Sequence, residues 1–182
     1  MKILITPDKA RVLGALMEKE VTTPDHYPLS LNALTAACNQ KNNRDPVTNH
    51  PEAAVQSVVD GLLKKHLVSD RGVGYGGRVV KYKQVAFNTE MGSLRLSDLE
   101  RAIICELLLR GPQSAGELKT RCARMAAVPD MATVEAALQN LAHHGEGPFV
   151  VRLPRAPGTR DPRWAHLLCG EVEVPDVAEA PA

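Results

Sequence analysis

The sequence predicts an α+β protein, mainly α, built from two tandem copies of one small domain, each with three helices and then a β-hairpin. Three observations predict it. Helix-start signals recur in the same order in both halves of the 182 residues. Apolar stripes at helical spacing follow each signal. Each series of helices then runs into two alternating segments separated by glycine, proline and basic residues.

Thr6-Pro7-Asp8 opens the first helix, with a capping threonine, a proline at the first helical position and an acid in the first turn. Val12, Leu13, Leu16 and Met17 form its buried stripe, and it ends near Glu20. Pro24 and Pro28 keep the next stretch out of helix. Ser30 caps a second helix whose Leu31, Leu34 and Cys38 face inward. A long polar loop, Asn39-Gln40-Lys41-Asn42-Asn43-Arg44-Asp45-Pro46, follows. Asn49 and Glu52 have the spacing of a capping box and open the third helix. Val55, Val58, Val59, Leu62 and Leu63 give it a clean amphipathic pattern. Leu67-Val68 begins a strand, residues 70–77 make a glycine-rich turn, and residues 78–85 alternate like a returning strand.

Met91-Gly92-Ser93 is read as a hinge to the second copy. Ser97 and Glu100 form a capping box for a helix over 98–110. That helix is apolar on much of its surface, so it is expected to be covered on more than one side, by the first half or by a second subunit in a homodimer. Gly111-Pro112 stops it. Ser114 and Glu117 start a short helix with Leu118 and Cys122 inside, and Asp130 caps a last helix with Val134, Ala137, Leu138 and Leu141 inside. Residues 149–153 and 164–168 are then two strands around an Arg/Pro/Gly loop. Val55, Val59 and Leu62 match Val134, Leu138 and Leu141 at an offset of 79, and Leu13 and Leu16 match Ile104 and Leu107 at 91.

These elements divide the chain into a first domain (1–90), a second domain (94–170) and an acidic tail (171–182) whose composition suggests disorder. Helix–turn–helix followed by a β-hairpin is the order of a winged-helix domain, a fold that reads nucleic acid or docks on proteins.

The formal net charge of +1 argues against a protein that coats DNA by charge alone. The distribution is uneven. Residues 1–90 hold 12 Lys and Arg against 9 Asp and Glu, while residues 91–182 hold 10 against 12. The apolar runs are too short to span a bilayer, and the N-terminus lacks the apolar stretch of a signal peptide. A cytoplasmic protein without a membrane partner is expected. Cys38, Cys105, Cys122 and Cys169 lack CxxC spacing and read as reduced core thiols. There is no GxSxG, no HExxH and no supported Ser/His/Asp arrangement, so the chain reads as non-enzymatic, with no metal and no cofactor.

The candidate binding residues are therefore surface amides and cations. The polar loop supplies Asn39, Gln40, Lys41, Asn42, Asn43 and Arg44. The outward face of the third helix supplies Asn49, Gln56 and Lys64, which could meet base edges and phosphates in a major groove. The first wing supplies Arg71 and Arg78. The second wing supplies Arg152, Arg155, Arg160 and Arg163, with only Asp161 to oppose them. DNA is the expected partner, as for a regulator of transcription, and another protein is the alternative.

The runs Tyr27-Pro28-Leu29-Ser30-Leu31-Asn32-Ala33-Leu34-Thr35 and Ala36-Ala37-Cys38-Asn39-Gln40-Lys41-Asn42-Asn43-Arg44-Asp45-Pro46 resemble the YceH family of bacterial proteins. Glu106-Leu107-Leu108-Leu109-Arg110-Gly111-Pro112-Gln113 and Val150-Val151-Arg152-Leu153-Pro154-Arg155 do so too. The resemblance covers residues 6 to about 171. It implies a pair of tandem winged-helix domains and carries over no catalytic or binding residues.

Overall fold

The structure is a computed structural model and describes residues 3–70, 79–89 and 94–172. Among the described residues, six α-helices and two small antiparallel sheets follow one order, used twice. A single 3-10 turn (Pro24–His26) stands where the prolines were expected to bar helix, because a proline at the first position of so short a turn has no amide to lose. The first copy runs α1 (Pro7–Thr22), β1 (Leu29–Ser30), α2 (Leu31–Asn39), α3 (Glu52–Lys64), β2 (Val68–Ser69) and β3 (Lys81–Gln84). The second runs α4 (Asp98–Arg110), β4 (Gln113–Ser114), α5 (Ala115–Cys122), α6 (Met131–Ala142), β5 (Val150–Arg152) and β6 (Arg163–His166). The fold is α+β and mainly α, as expected.

The helix starts follow the sequence signals. Thr6 accepts from the Lys9 amide, Ser30 from Ala33 and Asp130 from Thr133. Ser97 with Glu100 and Ser114 with Glu117 make complete capping boxes, so donors at the helix start find partners on both sides. The start of α3 differs. Its cap is Pro51, with no side-chain bond, and the helix begins at Glu52. Asn49 cannot open it because His50 precedes a proline, and that position is driven to extended backbone. Glu52 is instead taken by Asn32, whose amide donates to it at 2.9 Å.

Each sheet has three strands where the sequence suggested a two-stranded hairpin. The orders are β1-β3-β2 and β4-β6-β5, with Ser30 opposite Lys81 and Ser114 opposite Arg163. The extra strands are two residues long. Each ends on the serine that caps the next helix, so no alternation was there to read. The expected hinge at 91–93 and the tail from residue 173 lie outside the described residues.

One continuous apolar core runs through both copies. Its middle is the packing of α1 on α4, where a Cβ on Gly14 would stand 3.0 Å from Leu108 and Leu109. This explains why α4 is apolar nearly all round. Leu99, Ile103, Ile104, Leu107 and Leu109 are buried, partly by their own domain and partly by α1. The surface that suggested a second subunit is covered within the chain. The ends are joined as well, since the Ile5 amide donates to the Leu168 carbonyl at 2.7 Å. No helix among the described residues is long and apolar enough to cross a membrane.

Candidate functional site

The polar loop after α2 faces inward more than outward. Arg44, expected as a ligand-binding cation, is buried with a fully enclosed side chain. Its two terminal nitrogens donate to both oxygens of Glu18, at 2.7 and 2.9 Å, and its Nε donates to the Ala37 carbonyl. Asn39 is also structural: its amide donates to the His50 carbonyl at 2.8 Å, and its oxygen accepts from the His50 amide and the Thr48 hydroxyl. Gln40 accepts from Lys19 and donates to Asn42. Asn43 adopts a left-handed backbone (φ 56°), which Asn tolerates better than most residues, and its side chain accepts from Arg110 at 2.8 Å. Only Lys41 and Asn42 of the six remain exposed. A loop of this length needs internal bonds to hold its backbone, and these amides supply them.

Glu18 lies at the centre of a buried ionic cluster between the copies. Arg124, from the loop after α5, donates to Glu18 at 2.7 Å and to Glu106 of α4 at 2.6 Å. Each copy thus buries one glutamate on its first helix and answers it with an arginine from the loop after its second. Arg124 also crosses the seam. Burial works against ionising Glu18, but the bonds and charge of Arg44, then Arg124, outweigh it and hold its carboxyl down to about 2. A depressed carboxylate stabilises the fold above its ordinary value and loses that contribution as pH falls. Stability should therefore fall between about pH 5 and pH 2, by about 3 kcal/mol from this group. Urea midpoints across that range should drop less steeply for Glu18→Gln than for the parent; parallel curves would count against the assignment.

A cleft of about 430 Å³ opens where α1 begins and α4 ends, walled by Pro7, Leu107, Leu108, Pro112 and Ala165. Arg11 lines it but is already engaged. It donates to the carbonyls of Cys38, Pro46 and Leu109 and to the Thr48 hydroxyl. Cys38 and Leu109 stand in the last turns of α2 and α4, so the helix dipoles offset its charge. His166 is pushed down to about 4 by burial and accepts from the Leu168 amide, so it is neutral at neutral pH. Burial pushes Cys38 and Cys122 up to about 12, which makes them poor nucleophiles. Among the described residues no group of three or more His, Cys, Asp or Glu is placed to hold a metal ion.

The surface candidates divide. Asn49, in the loop before α3, and Lys64, at its end, are exposed, whereas Gln56 on α3 donates to Asp60 at 2.9 Å and to the Tyr82 hydroxyl at 3.3 Å. Arg71 and Arg78 lie outside the described residues. Arg152, Arg155, Arg160 and Arg163 are all exposed, on β5, β6 and the loop between them. None of the four forms an ion pair among the described residues. Arg155 reaches only the Arg160 carbonyl, at 3.4 Å. These features define a protein of two like helical units fused along their first helices, with a basic hairpin turned to solvent.

Residues 5–159 match the family model described as "Protein of unknown function, DUF480", and the chain belongs to that family. A UPF0502 protein of Vibrio campbellii is 52% identical over 180 residues, covering 99% of this chain and 82% of that protein. The UPF0502 protein YceH of Escherichia fergusonii is 52% identical over 173 residues, covering 95% of this chain and 80% of that one. A UPF0502 protein of Aeromonas salmonicida is 51% identical over 180 residues, with 99% and 82% covered. The expected resemblance to the YceH family is borne out.

Proposed function

We propose that this protein is a non-enzymatic DNA binder with tandem winged helices, acting as a regulator of transcription. The observation that carries the reading is the second hairpin, with its four exposed arginines and no acidic partner among the described residues. Like charges held close together repel, and a polyanion relieves that repulsion while releasing its counterions. The hairpin follows a helix–turn–helix, where a wing meets the DNA backbone or minor groove. Lys41 and Lys64 add exposed cations in the first copy.

A mobility-shift titration of mixed genomic fragments at several salt concentrations tests the reading. Arg155→Ala with Arg160→Ala should weaken binding on every fragment, about 30-fold near physiological salt, and flatten the salt slope by about two. Parent protein that shifts no fragment at low salt ends the DNA reading. Docking on another protein, as accessory subunits of chromosome-condensing complexes do, is the second reading. It is favoured by α6, whose exposed Met131, Glu135, Gln139 and Asn140 include no cation.

A further inference from the structure

The seam between the copies has a symmetry that bears on how DNA would be held. The caps of α1 and α4, Thr6 and Ser97, lie 91 residues apart, the same offset that aligns Leu13 with Ile104. At that offset the counterpart of Gly14 is Cys105. These two residues meet where the helices cross, the Cys105 thiol donating to the Gly14 carbonyl at 3.4 Å. To either side the contacts run in opposite directions. Glu20 pairs with Arg101 at 3.2 Å, and Arg11 reaches the Leu109 carbonyl at 3.4 Å. Helices that run antiparallel and cross at equivalent residues are related by a two-fold axis through the crossing. A seam at which a residue meets its own counterpart is isologous, the kind found in symmetric dimers.

The sheets carry the relation outward. Ser30 and Ser114 cap the second helices of their copies, and each pairs with the first residue of the third strand. Those residues are Lys81 and Arg163, two exposed cations at equivalent places. The relation is also held by an ion pair, because Arg124 of the second copy reaches across the seam to Glu18 while holding Glu106 of its own copy, and Glu18 is held by Arg44.

Resting on the DNA-binding reading above, we infer that one chain does the work of a two-fold dimer and sits on a single duplex with its axis on a local dyad of the DNA. The two strands of a duplex are related by such dyads, and two-fold proteins bind by matching them. Backbone contacts need no palindromic sequence, since phosphates carry no base information. The halves differ in what they add. The first offers Asn49 and Lys64 beside α3, while α6 offers no cation, so base reading falls to one half and the other grips the backbone. Because a duplex dyad exchanges the strands, equivalent residues must meet opposite strands.

A doubly labelled cross-link tests this. Lys81 and Arg163 are both replaced by the photoreactive residue benzoylphenylalanine in the full chain. The variant is irradiated with a 40-base-pair duplex whose strands bear different dyes, mixed with a second duplex bearing a third dye. The expected doubly linked species joins one chain to both strands of one duplex. Two links to one strand, links to two separate duplexes, or singly linked species alone would each overturn the dyad arrangement while leaving DNA binding in place. Parent protein that shifts neither duplex at low salt would end the DNA reading itself.

Discussion

Arg44→Ala is expected to lower the free energy of unfolding by about 3–5 kcal/mol, the usual cost of removing one partner from a buried ion pair. The side chain is fully enclosed, and its guanidinium spans both oxygens of Glu18. Without it Glu18 retains Arg124 and Lys19 but loses its two-pronged partner, and the Ala37 carbonyl loses a donor. Lys41→Ala, three residues away and exposed, should change stability by no more than about 0.5 kcal/mol. Urea unfolding of the two variants makes the comparison. Equal midpoints for both would mean that the loop is a surface feature after all.

Gly14→Leu is the second large effect expected. A Cβ at Gly14 would already stand 3.0 Å from the Leu108 Cβ and from Leu109 side-chain atoms. A full leucine must push α4 away or drive its own side chain off rotamer, costing about 2–3 kcal/mol. Gly14→Ala should be nearly neutral, because about 1 kcal/mol of helix propensity offsets the crowding. Thermal melts of the two variants should therefore separate by several degrees. A leucine variant that melts with the parent would show that the helices are not in close contact at this point.

Most of the fold was legible because its signals are local. Thr6, Ser30, Ser97, Ser114 and Asp130 mark helix starts within four residues, and apolar stripes name the buried faces. The two-residue strands β1 and β4 were not legible, since they lie below the length at which alternation shows. The ionic cluster was illegible for a different reason. Arg44 stands among amides and looks like a surface cation, yet its partner Glu18 is 26 residues earlier and Arg124 is 80 later. The one available hint was Glu106, a single acid inside the apolar run from Ile103 to Leu109, which needs a buried partner. The exposed arginines of the second hairpin stayed where the sequence put them, because the loop between β5 and β6 has little to bury beyond Leu153 and Ala156.

The pairing of α1 with α4 also bears on how the chain is made. Translation delivers Thr22 and then some ninety more residues before Arg110 leaves the ribosome. At about 5–20 residues per second, α1 waits roughly 5–20 s with its α4-facing side at Gly14 and Met17 uncovered. Glu18 spends the same interval with Arg44 as its only buried partner, until Arg124 follows. The first half therefore emerges with a sticky stripe that its own later half must claim before another nascent chain does. Conditions that slow elongation between residues 22 and 110 should raise the fraction lost to aggregation, and early capture of that stripe is where a chaperone would act.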